Sequence, residues 1–118
     1  MTRAKAQFDL LMECAVHVFD VSEEDIVSER RFRNLVNIRR MMFYVMRHKF
    51  GMEYSRIGTF FNRNHTTILS CLKKHDDFCL IELEYASAFN EMLTELNKRD
   101  VFKSRSAPKP ALEGVVLQ

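Results

Sequence analysis

The chain has 118 residues, 47 % of them hydrophobic, with ten Phe and seven Met but only three Gly and two Pro; this suffices for one domain around one core and supplies too few turn residues for a sandwich or barrel, which leaves an all-α fold. No run approaches the roughly 18 apolar residues of a membrane span, and the charged start "MTRAKAQFD" lacks the apolar stretch of a signal peptide, so a cytoplasmic protein with no membrane partner is expected. The formal net charge of +2 conceals a polarised chain: residues 28–75 hold eleven Lys or Arg against Glu29 and Glu53 alone, a net of +9, while the remainder holds seven basic and fourteen acidic residues, a net of −7.

Phe8, Leu11, Met12, Ala15, Val16 and Phe19 recur at three- and four-residue intervals and predict an amphipathic helix over about residues 4–19. Ser22 followed by Asp25 resembles a capping box, with Asp for the usual Glu or Gln, and starts a short helix, "SEEDIVS". The next stretch, "ERRFRNLVN", has no clean period and reads as a basic loop. Asn37 then caps a third helix with a buried stripe of Ile38, Met41, Met42, Val45 and Met46, ending near Phe50-Gly51, where glycine accepts a left-handed backbone. Residues 53–61, "EYSRIGTFF", read as a short helix with Ile57 and Phe60 or Phe61 inward, and "HTTILSCLKK" begins another, N-capped by Asn64. A break is expected at Lys-His-Asp-Asp, and then a long last helix from about Asp77 to Lys98 with Phe78, Ile81, Tyr85, Phe89, Met92 and Leu96 in step. One domain therefore covers residues 1–100, and the Ser, Pro and Gly content of residues 101–118 predicts a disordered tail there.

Two short helices joined by a tight turn, the second starting polar, outline a helix-turn-helix. His65, Thr66 and Thr67 are mediocre helix formers but short hydrogen-bonding groups, which is what a recognition helix sets against base edges in the major groove. A Thr hydroxyl donates or accepts while its methyl rests on the thymine methyl, and His donates to a purine N7 or O6 or to thymine O4. Lys73 and Lys74, further along, suit phosphates, which position rather than specify. A capped, exposed helix start and a basic face kept for solubility account for the same residues without any nucleic acid.

The stretches "DIVSERRFRNLVNIRRMMFYVMR" and "YSRIGTFFNRNHTTILSCLKK", with the helix before them, resemble the C-terminal DNA-binding domain of the bacterial replication initiator DnaA over about residues 8–78. That family carries a basic loop of the form S-K-R-R-S-R-S, then a helix, then an I-G-x-x-F-G-G-R-D-H-T-T-V signature. The resemblance implies a small helical bundle of the Trp repressor/DnaA C-terminal kind, monomeric by default and associated with the nucleoid, that binds double-stranded DNA at an A·T-rich, DnaA-box-like site and modulates replication initiation or transcription. It implies that Arg31 enters the minor groove, where narrow A-tracts attract Arg, with Arg30 beside it. Arg33 and Arg39 would support backbone or nearby base contacts, and Arg40, where the family often has Gln, adds charge. Arg63 would grip phosphate while Asn64, His65, Thr66 and Thr67 face the major groove, and Lys74 matches a basic place at the helix end.

The chain departs from the family pattern in three places. Asn64 stands where the family has Asp, one Gly is missing from the turn and the other is Asn62, and Val36-Asn37-Ile38-Arg39 replaces A-R-P-R, so a box identical to the family's TTATnCACA-like element is not implied. With Gly only at 51, 58 and 114, no GxxxxGK[ST] phosphate loop can be written; no nucleotide, cofactor or enzymatic activity is expected of this sequence.

Two rival readings compete. Cys71, His75 and Cys79, four residues apart with His65 upstream, have soft-ligand spacing for zinc if the helix is continuous, but no fourth ligand is evident, and three cysteines without framework spacing read as reduced thiols in or near the core. The second rival is a protein adaptor that works through Asp76, Asp77, Glu82, Glu84, Glu91 and Glu95 of the acidic last helix, whose bland counterpart is solubility.

Overall fold

The protein is described by a computed structural model over residues 2–103. Among the described residues there are six helices and no strand: α1 (Arg3–Phe19), α2 (Glu23–Val27), α3 (Arg33–His48), α4 (Tyr54–Phe61), α5 (His65–Ile81) and α6 (Leu83–Lys103). The tail expected over 101–118 lies outside the described residues, apart from 101–103, which continue α6.

Local chemistry sets most of the corners. Thr2 accepts from the Lys5 N–H and Ser22 from the Asp25 N–H, each at 3.1 Å, so that α1 and α2 start on hydroxyl caps. Helix α1 stops where Asp20 turns left-handed (φ 54°), a conformation that Asp and Asn reach more easily than other non-glycine residues. After α3, Gly51 takes φ 71°. The Met52 N–H donates back to the Met46 carbonyl and Arg47 Nη1 to the Met52 carbonyl, both at 3.0 Å, closing the corner into α4.

Helix α3 is the central element, packed on α1, α2, α4 and α5, while α6 lies along α1 and touches α5. Leu11, Met42, Met46, Ile57, Ile68, Met92 and Leu96 are fully buried between them. A phenylalanine cluster joins three helices: Phe8 stacks on Phe60 (centroids 4.5 Å apart) and meets Phe61 edge-on, and Phe61 meets Phe43 edge-on at 4.8 Å. Such pairs add about 0.5–1.5 kcal/mol each beyond simple burial, and they seat α4 on α1 and α3.

Three boundaries differ from the sequence expectation. Helix α3 starts at Arg33, four residues before Asn37, because Leu35 is buried and extends the Ile38 stripe back by one turn. Helix α5 does not break at Lys-His-Asp-Asp; His75 takes the inward seat in register with Ile68 and Leu72, while Lys73, Lys74, Asp76 and Asp77 stay outside. The chain bends instead at Glu82, which is extended (φ −108°, ψ 106°), so Phe78 and Ile81 belong to α5 and Ile81 is 79 % exposed rather than core.

The buried imidazole of His75 joins three helices. Its Nδ1 lies 2.8 Å from the Tyr85 hydroxyl on α6, its Nε2 lies 3.4 Å from the Cys79 thiol, and its ring stacks on Tyr44 of α3 at 4.1 Å. Burial pulls its pKa from 6.5 down to about 4; Asp76 opposes this, while Arg40 and His48 add to it. The unfolded chain therefore binds a proton near pH 6.5 that the folded chain refuses until about pH 4. Folding stability should be unaffected by this group above pH 6.5 and should fall by about 3 kcal/mol, at 1.36 kcal/mol per unit, between there and pH 4. Urea unfolding of the parent and of His75→Gln at closely spaced pH values should show the variant with a slope shallower by one proton in that window; parallel curves would mean that His75 is not the titrating group.

Candidate nucleic-acid interface

The turn between α4 and α5 is built from Asn62, Arg63 and Asn64. Asn62 is left-handed (φ 55°, ψ 47°), and the N–H groups of Asn62 and Arg63 return to the carbonyls at the end of α4, Arg63 to Gly58 at 2.8 Å. The chain doubles back so closely that a Cβ on Gly58 would fall on the backbone carbonyl of Arg63, far inside van der Waals contact. Asn64 then caps α5: its Oδ1 accepts from the Thr67 N–H at 3.1 Å and from the hydroxyls of Thr66 and Thr67. His65, Thr66 and Thr67 are all exposed on the first turn.

Arg63 is not a free phosphate grip. Its Nη1 donates to the Phe61 carbonyl and its Nη2 donates, at 2.6 Å, to the carbonyl of Ser28, thirty-five residues earlier in the α2–α3 loop. Ser28 also donates its hydroxyl to the Asp25 carbonyl at 2.7 Å and accepts from the Arg30 N–H. The basic loop is thereby tied to the helix-turn-helix. Between them opens a cavity of about 290 Å³ whose walls include Arg31, Arg63, Thr67 and Cys71, with Arg39 and Phe43 behind. Burial, and then the proximity of Arg63 and Arg31, pull the Arg39 pKa below its usual value. Among the described residues no carboxylate forms an ion pair with Arg31, Arg39 or Arg63, so three cations share one cleft in which Glu29 is the single acidic lining residue.

Two of the arginines expected to contact a ligand turn inward. Arg39 is 6 % exposed; its Nε donates to the Ile26 carbonyl at 2.7 Å and its Nη2 to that of Asp25 at 3.1 Å, which satisfies the C-terminal carbonyls of the five-residue helix α2. Arg40, also 6 % exposed, donates to Asn37 Oδ1 at 3.0 Å and lies 4.3 Å over the Phe78 ring. Both guanidinium groups are buried because α3 is covered on more than one side: α2 packs over Arg39, and Phe78 of α5 packs against Arg40. Arg30 is exposed beside Asp25 at 3.6 Å, and Arg33 is exposed on a separate groove shared with Glu82 and Glu84. Lys73 and Lys74 are exposed on α5, about 10 Å along the axis from Thr67 at 1.5 Å per residue.

Sequence reasoning passes over Ser28 and Gly58. Ser28 closes "SEEDIVS" as its last residue, which is a visible hint, whereas the Gly58 contact is a tertiary approach without a local signature. Among the described residues no three His, Cys, Asp or Glu side chains converge as metal ligands. The acidic set is also divided: Asp76 and Asp77 lie on α5, and Glu95 is engaged with Arg99 at 2.7 Å. No described helix is long and apolar enough to cross a membrane.

A family profile described as "Bacterial dnaA protein helix-turn-helix" matches residues 8–74, more than half of the chain. Among curated proteins, the chromosomal replication initiator protein DnaA of Mycoplasma pneumoniae is 36 % identical over 72 residues, 59 % of this chain and 16 % of that protein. The DnaA of Mycoplasma genitalium is 31 % identical over 94 residues, 78 % of this chain and 21 % of that protein. That of Thermotoga petrophila is 30 % identical over 98 residues, 82 % of this chain and 22 % of that protein. The chain thus spans about a fifth of the length of the relatives it matches.

The two structured glycines give a graded test of the turn. At Gly51 an alanine meets no atom within 4 Å and is opposed only by the left-handed backbone, so Gly51→Ala should cost about 1–2 kcal/mol. At Gly58 the obstacle is backbone that cannot rotate away, so Gly58→Ala should cost about 3 kcal/mol or more. Chemical denaturation of both variants checks the order; a Gly58→Ala loss no larger than that of Gly51→Ala would remove the close approach as the determinant of the turn.

Proposed function

The chain belongs to the bacterial DnaA helix-turn-helix family, and on that premise we propose that it is a sequence-specific double-stranded DNA-binding protein that reads the major groove with the start of α5 and the minor groove with the α2–α3 loop. The observation that carries this reading is the Arg63 bridge, which holds Thr67 and Arg31 on the walls of one cationic cleft. A duplex laid there would run its sugar-phosphate strand between helix and loop, since one backbone separates the two grooves. Arg31 suits the minor groove, about 6 Å wide, where A·T-rich sequence deepens the negative potential. Lys73 and Lys74 would meet phosphates.

The capping geometry sharpens the expected readout. The hydroxyls of Thr66 and Thr67 point their protons at Asn64 Oδ1, so each offers lone pairs and a methyl group outward, which suits an adenine or cytosine amino group and a thymine methyl. Asn64 spends its oxygen on the helix and has only its amino group left for DNA, so it serves as a donor rather than as a bidentate adenine reader. Arg39 and Arg40 act as positioning residues inside the domain. The site would be A·T-rich and DnaA-box-like, bound by a monomer, without nucleotide or metal; the role would be in replication initiation or in transcription, in the cytoplasm at the nucleoid. Mapping of bound sites across the genome separates origin from promoter occupancy.

Salt titration and substitution test the reading. Log affinity should fall by about 0.9 per phosphate contact per log unit of salt, and Arg31→Ala should weaken A·T-rich sites by about 1–3 kcal/mol with an unchanged melting temperature. An affinity flat in salt would overturn the proposal, and an unfolded Arg31→Ala would make that side chain structural. Asn64→Asp keeps the capping oxygen and should shift stability by no more than a few tenths of a kcal/mol, yet it removes the outward donor. Selection from random duplexes should then recover a motif altered at one base. Identical motifs for parent and variant would confine Asn64 to capping.

A further inference from the structure

Of the aromatic rings described, all but Phe32 lie in the core or pack against it. Phe32 is 61 % exposed and comes directly after Arg31 in the α2–α3 loop. Its backbone is not loose: Phe32 is the N-cap of α3, extended at φ −63° and ψ 141°, and its carbonyl accepts from the Val36 N–H at 3.0 Å. A large apolar ring is thus held out from the rigid start of a helix, with Arg30, Arg31 and Arg33 as its neighbours in sequence and all three exposed. An apolar protein surface covering this ring would have to desolvate those guanidinium groups, at high cost. The minor groove accommodates both: negative potential for the cations, and base faces for the ring.

We propose that Phe32 is an apolar wedge that enters a base step in the minor groove beside Arg31, partly unstacking it and making the choice of that step part of the protein's specificity. This rests on the reading of the loop as a minor-groove element. Apolar side chains used in this way kink the duplex and open a step, and pyrimidine–purine steps such as TA and CA open most easily. Sequence preference would then exist at a step where no hydrogen bond to a base is made, and replacing that step by a stiff A-tract step would weaken the parent but not a variant without the ring.

The test uses the full chain and the duplex it selects from a random pool, with 2-aminopurine substituted for adenine one position at a time. The parent should raise the fluorescence severalfold at one step within the site. Phe32→Ser should return it to the free-duplex level and loosen binding about tenfold, the scale of one lost base contact, while Phe32→Leu keeps an apolar wedge and most of the effect. Salt slopes should be the same for all three, because the ring contacts no phosphate, and no melting temperature should fall, because the ring is exposed and Ser at the N-cap of α3 supplies a capping hydroxyl that raises that variant's stability. If the parent binds but no position brightens, or if Phe32→Ser brightens it as the parent does, the wedge is overturned and the DNA-binding reading stands. If the parent selects no duplex, both fall.

Discussion

The basic face of this protein depends on one guanidinium. Arg63 sits in the turn before α5 and donates at 2.6 Å to Ser28 in a loop thirty-five residues away, so the two segments are oriented against each other by a single side chain. Hydrogen bonds from charged groups contribute about 1.5–3 kcal/mol when formed, and a buried partner left behind costs more. The acceptors matter as much as the donor. Arg63 and Arg39 are held by the carbonyls of Ser28, Phe61, Ile26 and Asp25 rather than by carboxylates. Neutral acceptors orient a guanidinium without cancelling its charge, and with three arginines against the one carboxylate of Glu29 the cleft stays net positive.

The helix-turn-helix divides its work among three small or amide-bearing residues. Gly58 allows the returning backbone to touch α4, Asn62 supplies the left-handed residue, and Asn64 caps α5. The capping oxygen also orients the hydroxyls of Thr66 and Thr67, so helix initiation and the polarity of the exposed surface are set by the same atom. A change at Asn64 therefore acts on the chemistry presented by its two neighbours as well as on its own.

Polar groups also reach into the core. Arg40 lies over Phe78 and near Tyr85, and among the described residues its Nε is the one buried side-chain nitrogen or oxygen without a partner. His75 links Tyr44, Cys79 and Tyr85. These contacts close the end of the bundle where α3, α5 and α6 meet. They explain why the second half of α5 is hard to read in the sequence: a histidine among lysines and aspartates carries no hydrophobic signal, although here it fills an apolar seat. The corner at Glu82 likewise lacks glycine or proline, and it falls between Ile81 and Leu83, which are both exposed.

The sequence by itself determined the helical class, the caps at Ser22 and Asn64, the place of the turn, the core stripe from Ile38 to Met46 and the exposed His65-Thr66-Thr67 start of α5, because spacing and capping chemistry act within one or two turns of chain. The sequence also carried the concentration of positive charge in residues 28–75. Only the tertiary structure decided which of those charges face outward. Arg31 and Arg39 are eight residues apart in the same basic stretch and border the same cleft, yet Arg31 is exposed while Arg39 is buried with its guanidinium turned to the carbonyls of α2. Their fates differ because a long side chain's destination is set by the nearest unsatisfied carbonyls, and these are brought within reach only when distant segments pack.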